Sequence, residues 1–103
     1  MADIDFIKIN IDKIGYNQII LLNLKDKIVI TDSIKKNINQ EKIDELLRII
    51  RLWKNKYISS NNIDSEKFNI SIVSGNDEEK IIGVGTYPSN YVEFKKWVRD
   101  IYE

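Results

Sequence analysis

The segment from Gly83 to Asn90 carries the residue types best suited to bind a small anion. Its two glycines lie between a predicted strand and the last predicted helix, where they can bring backbone N–H groups and a helix terminus toward an anion. The candidate anion site comprises Gly83, Gly85, Thr86, Ser89 and Asn90. The segment lacks the full dinucleotide fingerprint and a Walker motif. The alternative is that its glycines permit a bulge or close packing where the chain leaves the sheet.

Histidine and cysteine are both absent from the sequence. The chain therefore lacks the commonest general base near neutral pH and any Ser-His or Cys-His nucleophile. It also lacks both preferred types of zinc ligand. Two carboxylates can suffice for glycoside hydrolysis, but nothing in the sequence brings a particular pair to the required separation. We therefore predict that the protein is not an enzyme and has no catalytic residue, no cofactor and no metal site.

Two charged segments are better explained as solvated surface than as binding sites. Residues 76–79 are polar and acidic, but they lack the spaced oxygen ligands and central glycine of an EF-hand loop. Trp53 and Tyr57 lie beside four basic residues and could stack on bases. Both aromatic residues fall on the core face of the predicted helix, however, so the basic residues are more simply its solvated side. We therefore do not expect nucleic acid as a partner.

Length and composition are typical of one globular domain. The 103 residues are 43% hydrophobic and 31% charged, which predicts a single domain over residues 1–103. The 16 basic and 16 acidic side chains cancel, which argues against binding nucleic acid or an anionic membrane. Residues 1–5 are acidic, unlike a secretory signal, and no apolar run approaches the roughly 20 residues that span a bilayer. We predict a cytoplasmic protein with no membrane association.

Hydrophobic periodicity predicts five strands and two helices. Residues 6–11 alternate between apolar and polar, as in a half-buried strand. A short turn joins the next two strands into a hairpin, and turn residues 74–77 precede the fifth strand. The predicted strands are Phe6 to Ile11, Gln18 to Leu24, Lys27 to Thr31, Lys67 to Val73 and Lys80 to Gly85.

Both helices have recognisable starts. Asn39 is the expected N-cap of the first, with Ile38 and Ile43 forming a hydrophobic staple, and that helix is predicted to run from Gln40 to Lys56. Asn90 is the expected cap of the second, which has an apolar stripe at helical spacing. The predicted order is β-β-β-α-β-β-α. The simplest assembly is an α+β fold, an antiparallel sheet of about five strands with both helices on one face.

Residues 19–22 are apolar at every position, so the second strand is apolar on both faces. Two helices on one side cannot cover both faces. Either Ile20, Leu22 and Leu24 or Ile19 and Leu21 must then point away from the helices, where exposed aliphatic side chains would form an adhesive patch. The candidate interaction surface comprises Leu22, Leu24, Leu52 and Tyr16. A homodimer, an unknown protein partner, or the chain's own segment 32–38 could cover the exposed face.

The succession of strands, an Asn-Gln-Glu-capped helix at residues 39–41, two more strands and a closing helix resembles small bacterial protease inhibitors of the emfourin type. The resemblance is one of layout and implies an inhibitor or immunity-like role. It transfers no site residue, because the early hairpin offers only Ile14-Gly15-Tyr16 where a glycine-rich hairpin is expected. We predict a small non-enzymatic protein-interaction domain. The alternative is a small-ligand or anion-binding domain that uses residues 83–90.

Overall fold

The computed structural model describes residues 4–13, 15–32, 34–58 and 66–102. Within these ranges the chain forms one seven-stranded sheet and two helices, so the α+β class is confirmed. The strands are β1 (Phe6–Lys13), β2 (Tyr16–Asn23), β3 (Ile28–Thr31), β4 (Ile34–Asn37), β5 (Lys56–Ile58), β6 (Lys67–Ser74) and β7 (Asp77–Val84). The helices are α1 (Gln40–Ile50), between β4 and β5, and α2 (Tyr91–Tyr102), after β7. Ile14 of the early hairpin and the polar stretch 59–62 lie outside the described residues.

The sheet has the strand order β4-β3-β2-β1-β6-β7-β5. Neighbouring strands are antiparallel except β5 and β7, which run parallel, so the prediction of a purely antiparallel sheet of about five strands is wrong in detail. The two strands missed from the sequence are short edge strands. The first, β4, reads Ile-Lys-Lys-Asn and has too little alternation to indicate a strand. The second, β5, lies at the end of the region predicted to be helical.

The core lies between the sheet and the helices. The side chains of Ile7, Ile9 and Ile11 on β1 alternate with polar ones and are completely buried, as the period-two pattern predicts. They meet the buried residues of both helices, among them Leu46 and Trp97. The indole N–H of Trp97 donates to a backbone carbonyl of α1, that of Lys42, at 2.9 Å. Both helices therefore cover the same face of the sheet.

The first helix begins as predicted and ends early. The side chain of Asn39 accepts a hydrogen bond from the Lys42 N–H at 2.8 Å, which confirms the predicted N-cap. The helix ends at Ile50 instead of Lys56. Beyond it, the Trp53 N–H donates to the Ile50 carbonyl in a tight turn, and the chain then joins the sheet as β5 beside β7. Tertiary pairing and aromatic packing thus outweigh the helical pattern after residue 50.

Candidate functional site

The face of the sheet that points away from the helices is covered by no described helix, and we call it the open face. Because side chains alternate along a strand, the register assigns to it every residue that lies between core positions. Its apolar members are Phe6, Ile19, Leu21, Ile28, Ile30, Ile58, Val73, Ile82 and Val84. The open face therefore carries apolar side chains that no described helix covers.

Ile58, on the edge strand β5, is the most exposed apolar residue of the open face at 62%. Four other large exposed side chains lie on β1, β2 and β3, and we call them the open-face patch. They are Phe6, Ile19, Leu21 and Ile30, which are 41%, 44%, 37% and 37% exposed. Leu21 lies directly opposite Ile30 in the β2–β3 pair, at a spacing where cross-strand side chains touch. Contiguous exposed apolar side chains of this kind mark interaction surfaces more often than isolated ones do.

Polar side chains lie next to this patch at the centre of the sheet. Lys8 on β1, Ser71 on β6 and Lys80 on β7 are direct cross-strand neighbours in one row. Neither lysine forms an ion pair with a residue in the described part of the chain. In the next row Asn10 lies opposite Asn69. The Oδ1 atom of Asn10 is buried and accepts no hydrogen bond from any described residue.

A shallow depression of about 440 Å³ lies over these residues. Its apolar border is formed by Phe6, Leu21 and Val73, and its charged border by Lys8, Lys80 and the carboxylate of Glu78. Apolar surface beside polar groups without internal partners is the arrangement found in protein–protein contact regions.

The open face is basic, although the whole chain has no net charge. Its charged side chains are five lysines and two carboxylates, which gives 5 − 2 = +3. They are Lys8, Lys35, Lys56, Lys67, Lys80, Asp12 and Glu78. A positive surface of this kind attracts acidic partners and raises their association rate.

The two edges of the sheet are poorly suited to pairing with another strand. One edge strand, β4, has four residues and carries the consecutive lysines Lys35 and Lys36. The other, β5, has three residues. Short and lysine-bearing edge strands are common protection against edge-to-edge association. A partner is therefore better accommodated on the open face than along an edge.

The structure separates the four residues of the predicted interaction surface. Leu22 is completely buried in the core, so its prediction as a surface residue is wrong, and Leu24 packs partly against the same core. Tyr16 is 48% exposed and Leu52 is 88% exposed, but neither belongs to the open face. Of the two possibilities for β2, Ile19 and Leu21 point outward. The sequence could not choose between them because both alternating sets are aliphatic.

Two residues of the predicted anion site, Gly83 and Asn90, are used for internal contacts. The Phe68 ring occupies the space where a Gly83 side chain would lie, as in the close-packing alternative. The Asn90 side chain donates through Nδ2 to the Ile49 carbonyl at 2.9 Å and accepts from the Trp53 indole at 2.6 Å. Its backbone carbonyl, not its side chain, bonds the first turn of α2. Thr86 and Ser89 are exposed, and no observation favours an anion at either.

A second cluster joins the start of β6 to α2 through Glu66. The Glu66 carboxylate accepts from the Tyr91 hydroxyl at 2.5 Å and from the Lys95 ammonium at 2.6 Å. Its backbone carbonyl accepts from the Tyr87 hydroxyl at 2.7 Å, and the Tyr87 and Tyr91 rings stack 4.6 Å apart. Burial, followed by the hydrogen bond to Glu66, raises the pKa of Tyr91. A tyrosine that holds its proton this firmly is a structural donor and a poor general base.

Replacing Tyr91 with phenylalanine is expected to lower the free energy of unfolding by about 1–2 kcal/mol at pH 8, because one hydrogen bond to a charged group is lost. The folded state of the wild type favours neutral Tyr91, so this stabilisation is complete below the ordinary pKa of 10.0 and falls as the pH rises above it. The difference between wild type and Y91F should therefore narrow between pH 9 and pH 11 in urea unfolding. The matched control is Tyr16→Phe, outside the cluster. Parallel stability curves for wild type and Y91F would contradict the assignment.

The comparisons with known proteins identify no relative. No family model, no curated protein and no solved structure matches the chain. The emfourin-type resemblance therefore stays a prediction. Among the described residues, no group of acidic side chains is arranged to hold a metal ion, and neither helix is long and apolar enough to cross a bilayer.

Proposed function

We propose that this chain is a non-enzymatic protein-interaction domain that binds an acidic protein surface through the open face. The observation that carries the proposal is that Phe6 and Leu21 of the open-face patch line one depression with two lysines, Lys8 and Lys80, that have no ion-pair partner among the described residues. An inhibitor or an immunity-like protein is the narrower form of this proposal. Both act by covering a partner and require no catalytic residue of their own.

The two parts of the surface supply different contributions to binding. Burying a large aliphatic or aromatic side chain contributes about 1.5–3 kcal/mol before the costs of association, so the open-face patch provides most of the affinity. The lysines orient the partner and accelerate encounter, an effect that weakens as salt is added. The complex should therefore persist in high salt, but its association rate should be lower there.

The charge of the open face argues against a second copy of this chain as the partner. Two copies joined face to face would bring two surfaces of net +3 together, and like charges in an interface oppose association. We therefore expect a monomer by light scattering across a concentration series. A dimer that Leu21→Lys dissociates would instead assign the open face to self-association and overturn the proposal of an acidic partner.

The proposal is tested with two matched charge-reversal variants. The first, Lys8→Glu with Lys80→Glu, changes the open face. The control, Lys54→Glu with Lys96→Glu, makes the same change in net charge at exposed positions elsewhere. We expect the wild type and the control to capture at least one acidic protein from the source cell. The first variant should capture about tenfold less of that protein, or less still.

Captured proteins that are the same for all three forms would contradict the proposal. So would a partner lost equally from both variants, since that result would reflect overall charge. A captured partner must also bind in purified form, and Leu21→Lys must weaken that binding without changing the melting temperature.

A further inference from the structure

A separate groove lies on the helix-covered side of the sheet, between α1 and the hairpin formed by β6 and β7. Its volume is about 640 Å³, within the range of small-molecule sites. Its apolar lining consists of Ile4, Leu47, Ile50, Trp53, Ile72 and Ile81. We call it the α1 groove. It lies on the opposite side of the sheet from the open face, so it is independent of the proposed interaction surface.

The α1 groove exists because the helical layer does not cover this end of the hairpin. On β6 the inward residues Phe68 and Ile70 are at most 1% exposed. Ile72, the next inward residue, is only partly buried. Leu47 and Trp53 face the same space and are also partly buried. The result is an apolar floor, completed by Ile50 and Ile81, that is open to solvent along one side.

The rim of the groove contains two cations without partners. Arg48 and Arg51 project from successive positions of one α1 face, three residues apart. Neither forms an ion pair or a side-chain hydrogen bond with a described residue. The rim also has two carboxylates, and their hydrogen-bond donors are neutral amides, not cations. Asp44 accepts from Gln40 at 2.9 Å, and Glu79 accepts from Asn55 at 3.5 Å.

We propose that the α1 groove binds an amphipathic carboxylate, with the alkyl chain on Leu47, Trp53 and Ile72 and the carboxylate on Arg48 and Arg51. Guanidinium groups bind carboxylates through two parallel hydrogen bonds, which makes arginine better suited to this role than lysine. The negative end of α1 opposes an anion here, but that effect is confined to the last turn. It is reduced because the Ile49 and Ile50 carbonyls already accept hydrogen bonds from Asn90 and Trp53.

The test is a titration of the full chain with decanoate below its micelle concentration, followed by tryptophan fluorescence and calorimetry. Trp53 lines the groove, whereas Trp97 is completely buried, so a saturable change in emission reports on Trp53. We expect Arg48→Gln with Arg51→Gln to weaken binding by about tenfold or more. The matched control, Arg99→Gln on α2, should bind as the wild type does. The affinity of Arg48→Lys with Arg51→Lys for decanoate should lie between those of the double glutamine variant and the wild type. Lysine keeps the positive charge but lacks the planar guanidinium group that binds both carboxylate oxygens.

Two measurements on the wild type make the test independent of the variants. Decyltrimethylammonium, with the same chain and the opposite charge, should bind at least about tenfold more weakly than decanoate. Butyrate should also bind more weakly, because it buries less apolar surface. Saturable amide shifts should map to α1 and to β6–β7. Equal binding of both amphiphiles, no saturation with decanoate, shifts on the open face, or full binding by the double glutamine variant would each overturn the proposal.

Discussion

Replacing Gly83 with alanine is expected to lower the free energy of unfolding by about 3 kcal/mol, at the upper end for an overpacked core. Gly83 on β7 lies directly opposite Phe68 on β6. A Cβ atom at Gly83 would lie 2.0, 2.5 and 2.6 Å from three atoms of the Phe68 ring, much closer than carbon atoms approach each other. Urea unfolding of the wild type and G83A measures the loss.

The Phe68 ring cannot easily move aside, because it lies among other aromatic rings. Its centroid is 5.5 Å from that of Trp53 and 5.2 Å from that of Tyr91, with Tyr57 and Phe94 each 6.4 Å away. Rings at these separations add edge and stacking contacts to their buried area. Any shift of Phe68 away from a new methyl group would therefore disturb the whole cluster.

A double-mutant cycle with Phe68→Leu separates steric conflict from a general requirement for glycine. In the F68L background a smaller side chain faces position 83, so adding the methyl group should cost about 1–2 kcal/mol less than in the wild type. The cycle should thus show a coupling energy that favours the double variant. An alanine that costs the same in both backgrounds would show that the Phe68 contact does not explain the glycine.

The central strands could be predicted from the sequence because a local pattern decides them. On β1, Ile7, Ile9 and Ile11 alternate with polar residues, and only one orientation of the strand buries all three. The start of α1 was equally local, since Asn39 satisfies a backbone N–H three residues away. In both places propensity, spacing and burial favour the same structure.

The sequence failed where distant contacts decide the structure. Helical spacing continues past Ile50, but Trp53 is held by Asn90 and Tyr57 enters a strand beside β7. The partners of both residues lie more than 20 positions away. Partners at that distance are invisible to periodicity, which reads only neighbouring positions. The strand β4 was missed for a different reason: it pairs with the preceding strand, β3, but its own residues give little indication of a strand.

The candidate site could be anticipated only in outline. An apolar excess on β2 indicated an uncovered face, but choosing Leu21 over Leu22 as the outward residue requires knowing where the helices pack. The row formed by Lys8, Ser71 and Lys80 depends on the register of three strands. The basic character of the open face is likewise hidden in a sequence whose charges sum to zero.

Replacing Asn90 with alanine is expected to lower the free energy of unfolding by about 2–3 kcal/mol, because two partly buried groups lose their partners. The Trp53 indole N–H would lose its acceptor at 2.6 Å, and the Ile49 carbonyl would lose its donor at 2.9 Å. These two bonds tie the end of α1 and the turn after it to the start of α2. Loss of both bonds should therefore lower the free energy of unfolding measured with urea. It should also speed amide hydrogen exchange around residues 50–53.

Asn90→Asp distinguishes the two bonds. It keeps an acceptor for Trp53 but places a carboxylate against the Ile49 carbonyl, at the negative end of α1. At neutral pH this variant should be about as unstable as N90A. Lowering the pH should restore part of its stability, because a protonated carboxyl can donate to the Ile49 carbonyl. Trp53→Phe removes the indole bond and part of the ring packing but leaves the bond to the Ile49 carbonyl in place. In that background the stability should no longer depend on an acceptor at position 90. An aspartate variant as stable as the wild type at pH 7 would show that the Ile49 carbonyl does not need the donor, and the link between the helices would then rest on Trp53 alone.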